Sequence, residues 1–141
     1  ETSKSRSILY SGDAVYEDYL SEQIRWASEA MREPLFSSAP MKICLIHVPM
    51  IDHPDKSDYL LQRWLNVHFV PMLDDAGVDL MISADLHEFM YCNPGTMNNP
   101  FPILVNDDVR RLDCVYECGK FTLTMYNAAG KEEFSTVLKA E

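Results

Sequence analysis

No stretch of this sequence approaches the ~20 consecutive apolar residues that a membrane-spanning helix needs. Basic residues are scarce, with 12 Lys and Arg against 22 Asp and Glu, a formal charge of −10. That balance repels phosphate backbones and anionic lipid headgroups, so neither a nucleic-acid patch nor a membrane-surface role is expected. Repeats, low-complexity tracts and blocks of like charge are absent, and so is any internal domain boundary. The opening ETSKSRS is polar and lacks the apolar core of a signal peptide. The first residue is Glu rather than Met, which leads us to expect a processed product or a piece of something longer. The compartment, periplasm or cytoplasm, stays open.

What is present is an ordinary globular composition. Of 141 residues, 47% are hydrophobic and 24% charged, which excludes disorder and supplies one core, read as a single unit over 1–141. Four cysteines decide little. Cys44 falls inside an apolar run and reads as a small buried hydrophobe. Cys114 and Cys118 sit in CVYEC; on one strand they lie roughly 13 Å apart. A disulfide needs Cα atoms within ~7 Å, so the expectation is two structural thiols.

The chain reads as α/β in front and antiparallel β behind. Residues 1–12 look like a polar lead-in. Tyr16, Tyr19, Leu20, Ile24, Ala27, Ala30 and Met31 recur at three- and four-residue steps, which predicts an amphipathic helix ended by Pro34 and the 37–40 stretch. The apolar, β-branched run 42–47 predicts a strand buried on both faces. Ser57 or Asp58 is expected to cap a second helix with the stripe Leu60, Leu61, Trp64, Leu65 and Val67, restarted at Pro71 and stopped at Gly77. A second buried strand follows over 78–83, so strand, helix and strand form a parallel βαβ unit. After an Asn-, Pro- and Gly-rich stretch comes a strand over 101–105. A meander ends the chain, with turns at Gly119-Lys120 and Gly130. Trp26 and Trp64 read as core anchors, His53 as solvated and His68 as a surface or rim residue. Glu88 reads as an exposed salt-bridge partner or a support for His87.

The ends of the two parallel strands are where chemistry is expected. His47 closes the first strand in HVP, and Asp85 and His87 follow the second in SADLHEF. Ligands of open α/β sheets bind outside the carboxyl ends of the strands. Two imidazoles and a carboxylate there make a divalent-metal set, a general acid/base group, or plain hydrogen-bonded structural residues. Asn106-Asp107-Asp108 closes the next strand, as a turn or as a polar lining of the cleft.

ICLIHVPM, VDLMISADLHEF and FPILVNDDVRRLDCVY, in that order, resemble the C-terminal half of calcineurin-like metallophosphoesterases. They are most similar to a bacterial branch whose segments run like VLIHMPP, DLMLCGHTH and FPVLVND, and SEQIRWASEAM resembles its preceding helix. The resemblance implies the C-terminal half of a four-layer α/β/β/α sandwich and a metal-dependent hydrolase of phosphate esters. It implies divalent metal cofactors (Mn, Fe, Zn or Mg), with His47 and Asp85 as ligands of one metal and His87 of the other. Two residues depart from the G-H-x-H motif: Ala84 replaces its glycine and Asp85 its first histidine. The D-x-H, G-D-x-x-D and G-N-H-[DE] motifs of the N-terminal half are absent, and SGDA at 11–14 does not supply one. No catalytic residue is therefore assigned, and the chain alone is expected to be inactive. Its expected partners are a phosphate-ester substrate in the intact protein, the N-terminal half of the domain, and a second copy through an exposed sheet face. The alternative is a degenerate, non-catalytic module of the same fold that binds a ligand or partner.

Overall fold

A computed structural model describes residues 14–52 and 60–140. The expected lead-in over 1–12, His53 and the capping residues Ser57 and Asp58 lie outside the described residues. Helix α1 (Ala14–Ala30) is followed by a short helix α2 (Pro34–Ser37) and strand β1 (Ile43–Leu45). Helices α3 (Leu60–His68) and α4 (Val70–Asp75) connect β1 to β2 (Leu80–Ser83). Then come β3 (Met90–Cys92), β4 (Ile103–Val105), β5 (Arg111–Glu117), β6 (Lys120–Tyr126) and β7 (Glu132–Lys139).

The fold is mixed α/β. Strands β1 to β4 form one sheet in the order β1-β2-β4-β3, in which β1, β2 and β4 run parallel and β3 is antiparallel to β4. The parallel βαβ unit is present as expected, pairing Ile43 with Leu80 and Leu45 with Ile82. The meander is a separate antiparallel sheet, β5-β6-β7. Pro71 restarts the helix at α4, and Gly77 stops it with φ +71, a backbone that costs glycine nothing.

Two apolar layers hold the molecule together. Met81, Ile103 and Val105 point to the helix side and pack with Leu65, Leu73 and Val78. Leu80 and Leu104 point the other way and meet Phe121 and Leu123 of the meander. The alternation of side chains along each strand makes this division. At the start of the unit, Lys42 and Asp79 lock β1 to β2, the Lys42 amide donating to the Asp79 carboxylate at 2.7 Å and the Asp79 amide to the Lys42 carbonyl at 2.9 Å.

Several expectations need correction. Strand β1 is an edge strand, not one buried on both faces, and Leu45 is 74% exposed. Trp26 is no core anchor: it stands 70% exposed on α1, whose buried described residue is Ala27. Trp64 does pack against the core, and His68 lies exposed against its ring. Pro34 does not merely end a helix but opens α2 from its first turn, where its missing N–H costs nothing. Strand β3 had no sequence signal. Cys118 is in the β5–β6 turn with φ +51 rather than on the strand with Cys114, and both thiols are exposed rather than packed. The face of the first sheet away from the helices is covered by the meander; exposed apolar side chains stand on α1 (Tyr19, Trp26), on β1 (Leu45) and on the meander itself (Val115, Tyr116, Val137).

Candidate functional site

Three parallel strands deliver their carboxyl ends to one place. The ladder continues past β1 as the Ile46 amide donates to the Ile82 carbonyl at 3.1 Å and the Ala84 amide to the His47 carbonyl at 3.0 Å. It continues past β4 as the Asn106 amide donates to the Ser83 carbonyl at 2.7 Å. Backbone pairing therefore sets His47, Ala84 and Asn106 side by side at the rim. A shallow pocket there is lined by Leu45, Ile46, His47, Ile82, Ser83, Ala84 and Asn106.

The loop after β2 is held in an unusual shape. Asp85 has φ +63 and His87 φ +56, the left-handed region that side-chain-bearing residues seldom adopt. The Leu86 amide donates back to the Ala84 carbonyl at 2.7 Å, closing a three-residue turn around Asp85. Leu86, 8% exposed, anchors that turn in the helix-side core. Each left-handed residue costs of order 1–3 kcal/mol, which the anchor and the ladder must offset. The turn aims the Asp85 carboxylate across at His47.

His47 Nε2 and Asp85 Oδ1 lie 3.2 Å apart. That separation is the length of an imidazole–carboxylate hydrogen bond and equally that of two adjacent ligands on a cation with bonds of about 2.1 Å. His47 is exposed and Asp85 largely covered, which leaves the imidazole accessible from solvent. His87 goes elsewhere: its Nδ1 is 3.6 Å from Asp108 Oδ2, and both side chains are exposed. Among the described residues no three His, Cys, Asp or Glu side chains come together as a metal group. The structure thus joins two of the three expected site residues and separates the third.

Behind these strand ends, Ser83 Oγ and Asn106 Oδ1 are buried without a hydrogen-bond partner, as is Asn66 Oδ1 on α3. An unpaired buried polar atom costs about 1–3 kcal/mol, and most such atoms in proteins are satisfied. Ser83 carried no sequence signal, since one hydroxyl at the end of an apolar strand is unremarkable without its neighbours. Asn106 lines the cleft, while the next residue makes the turn: Asp107 accepts from the amides of Val109 at 3.1 Å and Arg110 at 2.8 Å. Its carboxylate also holds the Arg110 guanidinium, which reaches Glu133 on β7 at 2.7 Å. Burial pushes the Asp107 carboxyl up, but the two amides and the guanidinium outweigh it and hold it below the usual carboxylate range.

Polar residues behind the site tie its loops down. Asp52, after β1, accepts from Asn66 at 2.9 Å and Asn98 at 3.0 Å. Buried Asn99 accepts from the Met97 amide at 2.9 Å and donates to the Phe101 carbonyl at 2.7 Å. Searches against family models and curated protein sequences return no match to this chain. No described helix is long and apolar enough to cross a membrane.

Proposed function

We propose that this chain is the C-terminal portion of a metal-dependent phosphoesterase, half of an α/β/β/α sandwich that is completed by an N-terminal half. The single observation that carries the reading is the His47–Asp85 pair, 3.2 Å apart beyond the ends of adjacent parallel strands. When bound, a divalent cation supplies charge neutralisation at the phosphoryl oxygens and a more acidic water. The chain's own contribution is to hold and orient. His47 presents Nε2 from the edge strand, and Asp85 adds an oxygen and a negative charge from its strained turn. The layered packing of helices, parallel sheet and meander, with β1 as the edge strand among the described residues, also supports the reading.

One observation favours the second reading, a non-catalytic module of the same fold. His87 pairs with Asp108 and does not join His47 and Asp85. Calorimetric titration with Mn²⁺, together with an assay on bis-p-nitrophenyl phosphate, separates the two. The expected result is Mn²⁺ binding by the chain with hydrolysis at background, because the N-terminal motifs are missing from it. A folded chain that takes up no Mn²⁺ turns the conclusion to the non-catalytic module. Metal-dependent turnover of about 1 s⁻¹, the low end of ordinary enzymes, would overturn the view that the site is incomplete.

A further inference from the structure

Four strands end a sheet among the described residues, and three of them are guarded. β5 carries Arg111, Asp113 and Glu117, and β7 carries Glu132, Glu133 and Lys139. β3 has no charge, but none of its side chains is exposed. β1 has neither protection: no residue in it is charged, and Leu45 stands 74% exposed. Charge and coverage are the usual means of keeping an edge from pairing. The chain around β1 is spared negative charge as well, with no Asp or Glu over 35–51 in a sequence that has 22 of them. A second copy of an acidic chain is repelled least here.

Backbone direction fixes what this edge offers. Lys42 and Ile46 bond toward β2, the Lys42 carbonyl accepting from the Asp79 amide at 2.9 Å and the Ile46 amide donating to the Ile82 carbonyl at 3.1 Å. Alternate residues of a strand turn their backbone groups to opposite sides, so the amides and carbonyls of Ile43 and Leu45 face outward. Between them Cys44 lines the apolar groove of ≈ 430 Å³, beside which Trp26 stands 70% exposed. Trp26 and Tyr19 on α1 still expose about 250 Å² between them, at roughly 150–250 Å² for a whole aromatic side chain. Doubled in a symmetric pair, that is about half of the ~1,000 Å² a specific interface needs, with Leu45, the groove and the edge backbone to add.

We infer that two copies of this chain pair through β1, antiparallel about a two-fold axis that passes Cys44. That register sets Ile43 opposite Leu45 of the second copy, and Leu45 opposite its Ile43, so the outward groups of both strands bond one another. An axis at Ile43 or at Leu45 would set the other residue against position 41 or 47, outside the strand. The pair is closed, because each edge uses up the other. One continuous sheet then runs through both copies, with the two grooves side by side and each Trp26 covered. The inference goes beyond the cation site and does not rest on it.

The test joins sedimentation equilibrium of the 141-residue chain to amide hydrogen exchange read residue by residue. Sedimentation should show monomer and dimer with no larger species. Between low and high protein concentration the Ile43 and Leu45 amides should slow by roughly tenfold or more, while Ile46, bonded within its own sheet, stays unchanged. Leu45→Pro deletes one outward N–H, a change edge strands accept, and should return the chain to monomer. Trp26→Glu, at an exposed position, should do the same and keeps the test decisive if Leu45→Pro misfolds. A dimer whose Ile43 and Leu45 amides exchange as fast as in the monomer pairs through another face and overturns the inference. So does a dimer that both variants leave intact, or a chain that grows into open-ended assemblies. A chain that stays monomeric at high concentration overturns it too, and uptake of an apolar dye by that monomer would assign the groove to a small apolar ligand instead.

Discussion

Asp85 shows how much one residue's surroundings decide. A carboxylate in a tight loop ordinarily accepts from its own backbone, but here a left-handed turn sends it to His47 at 3.2 Å. Asp85→His exchanges an oxygen donor for nitrogen and removes a negative charge. The expected outcome is a shift of metal preference from Mn²⁺ toward Zn²⁺ in competition titrations, and Asp85→Ala should weaken both. Asp107 is the structural counterpart, with a side chain only 4% exposed. Asp107→Ala removes the acceptor of two amides and the partner of Arg110, so a loss of about 2 kcal/mol is expected in urea unfolding. The sign of the pH dependence follows from its lowered pKa. Asp107 stabilises the fold above its unfolded-state pKa, and that contribution disappears as pH falls through the folded-state value. Unfolding at stepwise lower pH should therefore narrow the difference between Asp107→Ala and the parent. Cysteines separate by burial: burial pushes the Cys44 thiol up to about 11, while Cys118 is exposed in a turn. A thiol-reactive disulfide reagent near neutral pH should label Cys118 well before Cys44.

At the scale of elements, the β5–β6 turn offers a clean stability test. Cys118 has φ +51 and Gly119 φ +74, two consecutive left-handed residues between antiparallel strands. That is the two-residue hairpin geometry for which Asn-Gly is the preferred sequence. Cys118→Asn should raise the unfolding free energy by roughly 0.5 kcal/mol, read from denaturant midpoints, since asparagine tolerates this conformation better than cysteine. The same conformational cost is borne by Asp85 and His87, of which Asp85 is held facing His47. Helix α1 marks the opposite extreme. Its seven-position apolar pattern made a helix legible, yet Tyr19 and Trp26 are 54% and 70% exposed. Periodicity predicts that a face is apolar; it does not supply the surface that covers it.

The whole molecule is asymmetric in what it leaves open. On the far side the first sheet ends at β3, whose Tyr91 packs with Phe134 of the meander, ring centroids 5.2 Å apart. On the near side it ends at β1, beside which an apolar groove of ≈ 430 Å³ runs between Trp26, Ala27, Phe36 and Leu45. Among the described residues nothing pairs with this edge, and an edge strand with apolar neighbours is a template for added strands, normally blunted by charge. Leu45→Lys supplies that charge. Sedimentation of the parent chain should show association that grows with concentration, and Leu45→Lys should abolish it without lowering the melting temperature. A parent chain that stays monomeric at high concentration would count against this edge as an interaction surface.

The α/β order, the parallel βαβ unit, the meander and the strand-end position of His47, Asp85 and His87 were legible in the sequence before any contact was known. Each rests on local signals: apolar runs, period, proline and glycine. Tertiary structure alone decided that β1 is an edge, that Trp26 stands in solvent, and that the meander covers the face of the first sheet away from the helices. It also decided which neighbours His47 and His87 take, and that the three-residue strand β3 forms against β4. Burial and pairing depend on residues far apart in the chain: His47, Ala84 and Asn106 become neighbours only when the ends of three parallel strands are laid side by side.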